Sequence, residues 1–141
     1  MANGAKLFVV IFAVVTITSC SHPKRLSTEE LRSTLTQAVS FASESETFID
    51  YVVQKRATKS YARGHLQYLL DELSRSAKET HESIAALSTQ EILAESQDQL
   101  DHLVAAVRYA SREQDDPEKL RVAKQQIANT RRALEKAKDS L

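Results

Sequence analysis

The sequence predicts an all-α fold in which four antiparallel helices form an up-down-up-down four-helix bundle. The chain of 141 residues contains only two Gly and two Pro, whereas turn-rich β folds use both residues freely. Apolar and small residues recur at alternating spacings of three and four, as on a helix with one buried stripe. Three breaks separate four striped segments of similar length, which can bury their stripes against one another.

The first twenty residues are expected to precede the bundle rather than to belong to it. Lys6 is the only charged residue among them, and residues 7–17 form an apolar run, LFVVIFAVVTI. A membrane-spanning helix needs about 20 apolar residues, so this shorter run has the length of a signal-peptide core. The fold class is therefore a four-helix bundle after an N-terminal signal peptide, residues 1–19.

The apolar run ends in the motif Ile17-Thr18-Ser19-Cys20. A branched apolar residue, two small residues and a cysteine resemble the lipobox of bacterial lipoproteins. The resemblance implies that the chain is cut before Cys20, that lipid is attached to its thiol, and that this lipid anchors the protein to a membrane of the cell envelope. Ser21 stands where an aspartate would imply inner-membrane retention, so it implies an outer membrane location, facing the periplasm, if the source is Gram-negative.

The mature chain divides into a short tether and a bundle. Residues 20–27 are interpreted as the lipidated cysteine and the tether, and residues 28–141 as the helical bundle domain. Ser27-Thr28-Glu29-Glu30 has the spacing of a capping box and predicts the start of the first helix. Its apolar or small stripe is Leu31, Leu35, Ala38, Ala42, Ser45, Ile49 and Val52.

The other three helices are predicted in the same way. The second stripe runs from Leu66 to Leu87. Ser88-Thr89-Gln90-Glu91 repeats the capping-box pattern and opens a third helix. Asp115-Asp116-Pro117-Glu118 predicts the fourth start, because proline suits the first helical turn and acids suit the positive end of the helix dipole. Each helix is expected to have roughly 24–30 residues and a length of ~40 Å.

The first chain reversal is the least specified, because no strong breaker lies between Val53 and Tyr61. The turn is expected between residues 55 and 64. A second interpretation keeps this region helical, so that one long helix pairs with a second copy and forms an oligomeric spacer. In the bundle, the acidic first helix and the basic fourth helix are antiparallel neighbours, and the acids at the start of the first should face the bases at the end of the fourth.

Four cations near this reversal are the candidate interaction site. We call Lys55, Arg56, Lys59 and Arg63 the basic elbow. If the first helix starts at a membrane, the elbow lies at its far end, where it could meet an anionic envelope polymer or an acidic protein surface. An alternative is that Glu113, Asp115, Asp116 and Glu118 neutralise it within the same molecule.

The sequence carries no signal of catalysis or of a cofactor. One cysteine excludes an internal disulfide and a thiolate metal site. The chain lacks the Glu-x-x-His motif of di-iron bundles, a glycine-rich phosphate loop and a nucleophile elbow. Asp98 and His102 lie one helical turn apart, but this pair is interpreted as solvent-facing. Tyr51, Tyr61, Tyr68 and Tyr109 are expected at the rim of the bundle.

These observations favour a non-enzymatic, lipid-anchored envelope protein that binds, spaces or regulates another envelope component. Balanced charge, with 19 cations and 19 acids, does not favour nucleic acid as a partner. The alternatives are a small-molecule carrier or sensor with its ligand between helices, and the self-associating spacer described above.

Overall fold

The computed structural model describes residues 23–141, and it confirms the up-down-up-down four-helix bundle for them. Cys20 and the predicted signal peptide lie outside the described residues. The elements in chain order are β1 (Lys24–Leu26), α1 (Thr28–Val53), α2 (Lys59–His81), β2 (Ser83–Ala85), α3 (Gln90–Arg112) and α4 (Pro117–Asp139). The first reversal therefore falls at residues 54–58. Residue 54 lies just before the predicted interval of 55–64, and residues 55–58 lie inside it. Helix α1 is not continuous with α2.

Two helix starts form as the sequence predicts. Ser27 and Glu30 make a complete capping box, in which the Ser27 backbone N–H donates to Glu30 Oε2 at 2.8 Å and the Glu30 N–H donates to Ser27 Oγ at 3.2 Å. The Ser27 backbone N–H and hydroxyl, with Lys24 nearby, lower the pKa of the Glu30 carboxyl. Asp116 caps α4 by accepting from the N–H groups of Glu118 and Lys119, and Pro117 occupies the first turn.

The predicted capping box at the start of α3 does not form, and that prediction is wrong. Thr89 is the N-cap but makes no side-chain capping bond. Its hydroxyl instead donates to the Ala86 carbonyl, and Gln90 Oε1 accepts from the Ala85 backbone N–H at 3.1 Å. The helix starts one residue later than the motif predicts, so Ser88 and Glu91 do not occupy the N-cap and N3 positions that a capping box requires.

The second helix is also shorter than its predicted stripe. It ends at His81 after 23 residues, and α3 and α4 also have 23 residues each. These three helices are just shorter than the predicted 24–30 residues, whereas α1, with 26, lies within that range. Leu87, expected at the end of the stripe, is 98% exposed. The chain leaves the helix here because residues 83–85 form a strand.

That strand belongs to a two-stranded parallel sheet that the sequence did not predict. Lys24 pairs with Ser83, Arg25 with Ile84, and Leu26 with Ala85. Leu26 is buried in the core of the bundle. Residues 24–26 are thereby fixed beside the segment that joins α2 to α3.

The core follows the predicted stripes. Leu31, Leu35 and Ile49 of α1 are fully buried, and so are the largest apolar side chains of the other helices. These are Leu66, Leu69, Leu73, Leu93, Leu100, Leu103, Leu120, Ile127 and Leu134. Small residues such as Ala38, Ala42 and Ser45 are fully buried too, which lets the helix backbones approach closely.

Ion pairs join α1 to α4, as the charge distribution predicts, but not at the predicted end. Lys124 Nζ lies 2.7 and 2.6 Å from the two Asp50 carboxylate oxygens. Arg131 donates to Glu46 at 2.7 Å, and this hydrogen bond raises the pKa of the arginine. The acids at the start of α1 form no ion pair with α4 within residues 23–141, since Glu30 bonds Ser27 and Lys24 while Glu29 pairs with Arg32.

The four sides of the bundle are not equivalent. The helix backbones approach closely along the α1–α4, α2–α3 and α3–α4 interfaces, whereas those of α1 and α2 approach each other at far fewer positions. The side between α1 and α2 is therefore the open side of the bundle, and it contains the candidate site.

Candidate functional site: a groove between the first two helices

A groove of about 610 Å³ lies between α1 and α2, next to the turn that joins them. Its lining combines ring side chains with hydroxyl, amide and charged groups. The lining residues are Ser43, Glu44, Thr47, Phe48, Asp50, Tyr51, Gln54, Arg56, Tyr61 and His65. The volume is within the range of ligand sites, roughly 300–1,000 Å³.

Five rings form one cluster along this groove. Phe48 is buried and serves as its floor, with the His65 ring centroid at 4.2 Å and the Tyr61 centroid at 5.6 Å in an edge-to-face arrangement. Tyr51 stacks beside Phe48 at 6.3 Å, and Tyr68 lies 6.0 Å from His65. Tyr61 and Tyr68 remain 56% and 49% exposed, so one side of the cluster faces solvent.

The sequence positions these rings on facing surfaces. Phe48 and Tyr51 are three residues apart on α1, and Tyr61, His65 and Tyr68 are four and three residues apart on α2. Residues at such spacings lie on one face of a helix. Because the rings meet between the two helices, this interface is filled by large flat side chains rather than by interlocking small ones.

The turn between α1 and α2 has a defined geometry. The Lys55 N–H donates to the Val52 carbonyl at 2.9 Å, and the Arg56 N–H donates to the Tyr51 carbonyl at 3.0 Å. These two bonds are those of a Schellman motif. The motif needs a left-handed residue after the helix cap, usually glycine, and Lys55 adopts this conformation with φ 56°. A lysine there carries a backbone strain of about 1 kcal/mol.

The same turn places Arg56 beside the groove. The Arg56 guanidinium carbon lies 5.0 Å from the centroid of the Tyr51 ring, within the range of a cation–π contact. Thr58 caps α2 by accepting from the Tyr61 N–H. The first turn of α2 contains no acid to offset its positive dipole end.

The basic elbow is partly neutralised within the molecule. Lys59 Nζ lies 2.8 Å from Asp115 Oδ1 in the loop between α3 and α4. Lys55, Arg56 and Arg63 are exposed and form no ion pair within residues 23–141. Three elbow cations thus remain available at this end of the bundle.

The other acids of that loop are committed elsewhere. Glu113 accepts from Lys119 Nζ at 2.7 Å and raises the pKa of the lysine. Asp116 caps α4, and Glu118 pairs with Arg121. Of the four acids that could neutralise the elbow, Asp115 alone reaches it within the described residues.

The acids that line the groove also have partners. Glu44 Oε1 lies 3.0 Å from His65 Nε2, and the Asp50 carboxylate binds Lys124 through both oxygens. The groove therefore has partnered carboxylates along one wall, and Arg56 lies at its end without an ion pair in residues 23–141.

Sequence reasoning located the elbow but missed the groove. Tyr51, Tyr61 and Tyr68 were expected at the rim, with no common site assigned to them. The sequence pattern assigns neither His65 nor Phe48 to a binding site. The ring spacing on α2 was the available signal, but pairing it with α1 needed the relative rotation of the two helices.

The described part of the chain has no candidate metal site. Within residues 23–141, no three histidine, cysteine or acidic side chains come close enough to hold a metal ion. Asp98 and His102 are both exposed on α3. None of the helices in this range has the length and hydropathy needed to cross a membrane.

Comparisons with protein-family models, with curated proteins and with solved structures give no match for this chain.

Proposed function

We propose that this protein is a lipid-anchored, non-enzymatic binding module of the bacterial cell envelope, which presents its binding surface at the end of the bundle far from the membrane. In this proposal, residues 1–19 are removed and Cys20 carries the lipid. The lipobox-like motif and the placement of the only cysteine support the anchor. If the source is Gram-negative, Ser21 favours the outer membrane, with the bundle in the periplasm.

The position of the first strand supports a fixed orientation. Lys24 begins β1 four residues after Cys20, and four residues span at most ~14 Å. Because β1 is paired with β2 and leads directly into α1, the near end of the bundle would stay close to the bilayer. The 26 residues of α1 extend for ~39 Å, so the elbow would face away from the membrane.

The observation that carries the proposal is the opening between α1 and α2. Four large apolar or aromatic side chains are exposed within residues 23–141. Leu87 lies in the loop before α3 and Val122 lies on α4, whereas Tyr61 and Tyr68 are half exposed together in one ring cluster beside the elbow. Exposed aromatic and arginine side chains around a buried ring are the residue types that dominate binding surfaces. We infer that the groove and the three free elbow cations bind one partner together.

The groove also favours a second candidate function, that of a small-molecule carrier or sensor. It lies between two helices, and its volume suits a small ligand. Its half-exposed tyrosines favour an extended partner, because a carrier buries most of its ligand. A ligand that raises the melting temperature of the purified protein would support the carrier.

The first test is crosslinking in living cells from the full-length protein, followed by identification of the captured molecules. Reversing charge at Lys55, Arg56 and Arg63 to glutamate should remove the specific partner. A matched control makes the same change at three exposed cations near the other end of the bundle, Lys78, Arg132 and Lys136. Loss in the control, or retention in the elbow variant, would contradict a distal binding surface.

The anchor needs a separate test. In the wild-type protein, mass spectrometry of the amino-terminal peptide should find acyl groups on Cys20. Cys20→Ala should abolish the modification and release the protein from the membrane fraction. An unmodified Cys20 in a membrane-bound protein would overturn the lipid anchor without bearing on the groove.

A further inference from the structure

We propose that the groove between α1 and α2 binds an acidic polysaccharide, with sugar rings stacked on Tyr61 and Tyr68 and their acidic groups held by the basic elbow. The inference rests on the proposed function, because it names the ligand class of the same distal surface.

The exposed tyrosines supply the stacking faces. Their partners in the cluster, Phe48 and His65, support them from the side of the core. A tyrosine fixed in this way offers a rigid flat surface with a wet hydroxyl. A sugar ring presents a face of C–H bonds and an edge of hydroxyls, so that its face can cover a tyrosine ring while its hydroxyls meet polar groups.

Polar groups suited to sugar hydroxyls line the same groove. The wall formed by α1 contains Ser43, Thr47 and Gln54, and Arg56 lies at one end of the groove. From Ser43 to Gln54 the helix extends for about 16 Å, which is longer than one sugar ring. The groove therefore suits several consecutive rings of a polymer.

Charge selects an acidic polymer over a neutral one. The carboxylates of the wall already have partners, Glu44 with His65 and Asp50 with Lys124. Arg56 lines the groove where it meets the turn, and Lys55 precedes it in that turn. An arginine that also contacts an aromatic face can bind a carboxylate through two parallel hydrogen bonds.

The groove suits a peptide less well. Helices satisfy their own backbone hydrogen bonds, so an extended peptide placed here would gain no main-chain pairing of the kind that an open sheet edge provides. A helical peptide would need a continuous apolar trough, whereas the rings of this groove are interrupted by the polar or charged side chains of Ser43, Thr47 and Arg56.

Binding can be measured with the full-length chain in detergent. The chain contains no tryptophan and four tyrosines, of which Tyr51, Tyr61 and Tyr68 belong to the ring cluster. Tyrosine fluorescence therefore reports mainly on the groove. The probes are an oligogalacturonate of defined length, a neutral oligosaccharide of the same length, and a polyglutamate peptide with the same number of charges.

The expected result is saturable binding of the oligogalacturonate, at least tenfold tighter than that of either other probe. Tyr61→Ala should weaken it by about tenfold, which corresponds to the loss of one favourable ring contact. Tyr61→Phe, which keeps the ring, should remain within about threefold of wild type. Arg56→Gln should weaken binding and reduce its dependence on salt.

Four results would overturn the inference. Equal binding of polyglutamate would show that charge alone is recognised, and equal binding of the neutral sugar would exclude the role of the elbow. A doubled mass in solution that Tyr61→Ala abolishes would assign the groove to a second copy of this chain. If none of the probes binds while crosslinking still captures a partner that depends on the elbow, the acidic polysaccharide is the wrong ligand class and the proposed function stands.

Discussion

The two flanks of α1 are built differently, and the difference separates stability from binding. Towards α4, small buried residues allow close packing, and Asp50 and Glu46 are paired with Lys124 and Arg131. Towards α2, rings of Phe48, Tyr51 and their partners keep the helices apart. A four-helix bundle can thus hold three tight interfaces and leave its fourth side open to a ligand.

The largest expected effect concerns the closed side. Ile127 of α4 is fully buried, and Ile127→Ala should lower the free energy of unfolding by about 2–5 kcal/mol, because the deletion leaves a cavity. The measurement is urea unfolding followed by circular dichroism. Val122→Ala is the control, since Val122 on the same helix is 52% exposed and its change should stay within about 0.5 kcal/mol. Similar losses in the two variants would contradict a closed core on this side.

The ion pairs of the closed flank should matter less than its core. The Arg131 side chain is 27% exposed and that of Glu46 is 16% exposed. Arg131→Gln should cost about 1–2 kcal/mol, because a charged hydrogen bond between partly buried groups is lost. Arg132→Gln, a change to its exposed neighbour, should cost nearly nothing. A double-mutant cycle with Glu46→Gln measures the coupling, and additivity of the two single changes would show that the pair contributes nothing.

The turn at the open flank should tolerate a stabilising change. Lys55→Gly relieves the left-handed strain of the Schellman motif, so we expect the free energy of unfolding to rise by about 1 kcal/mol. Lys55→Ala removes the same charge but keeps the strain, and should give no such gain. If both variants gain equally, charge repulsion within the elbow, rather than backbone strain, limits stability at this turn.

Gly64 offers a smaller gain on α2. It is exposed in the helix, and a Cβ added there meets no atom within 4 Å. Gly64→Ala should therefore stabilise the protein by about 0.5–1 kcal/mol through better helix propensity, with oligosaccharide binding unchanged. Gly64→Ser should give a smaller gain in the same thermal unfolding assay. A loss of binding in Gly64→Ala would show that the groove needs a mobile α2.

The smallest expected effect lies at the start of α1, away from both flanks. Because the pKa of Glu30 is held below its ordinary 4.5, its carboxylate stabilises the fold above that value, and this contribution is lost as pH falls through the lowered pKa. Glu30→Gln should lower the melting temperature at pH 7, and the difference from wild type should shrink in acid. Glu29→Gln is the control; an equal pH dependence there would assign the effect to general charge rather than to the capping box.

Local signals in the sequence were sufficient for most of the fold. Ser27 with Glu30 and Asp116 with Pro117 mark helix starts that depend on neighbouring residues only. The stripes gave the buried faces, since a helical spacing fixes which side chains point the same way. The Ser88-Thr89-Gln90-Glu91 motif misled because the N-cap of α3 is Thr89 rather than Ser88, which moves Ser88 and Glu91 out of the capping positions.

The parts that could not be predicted depend on distant residues. A three-residue strand has too few positions for a periodic pattern, and the partner of Lys24–Leu26 lies almost sixty residues away at Ser83–Ala85. The groove likewise depends on how α2 is rotated against α1. The sequence predicts the elbow from its cluster of cations, but it does not predict which acid pairs with them. Lys59 and Asp115 are far apart in the sequence and come together only when the chain folds.

The small parallel sheet has a mechanical consequence. A pulling force on the amino-terminal end of the chain reaches Lys24–Leu26 first, since β1 immediately precedes Ser27 and α1. The load passes across the strand pair to Ser83–Ala85 and is shared with the ends of α2 and α3. The first turn of α1 is thereby shielded, and its capping box carries the full tension only after the two strands have separated.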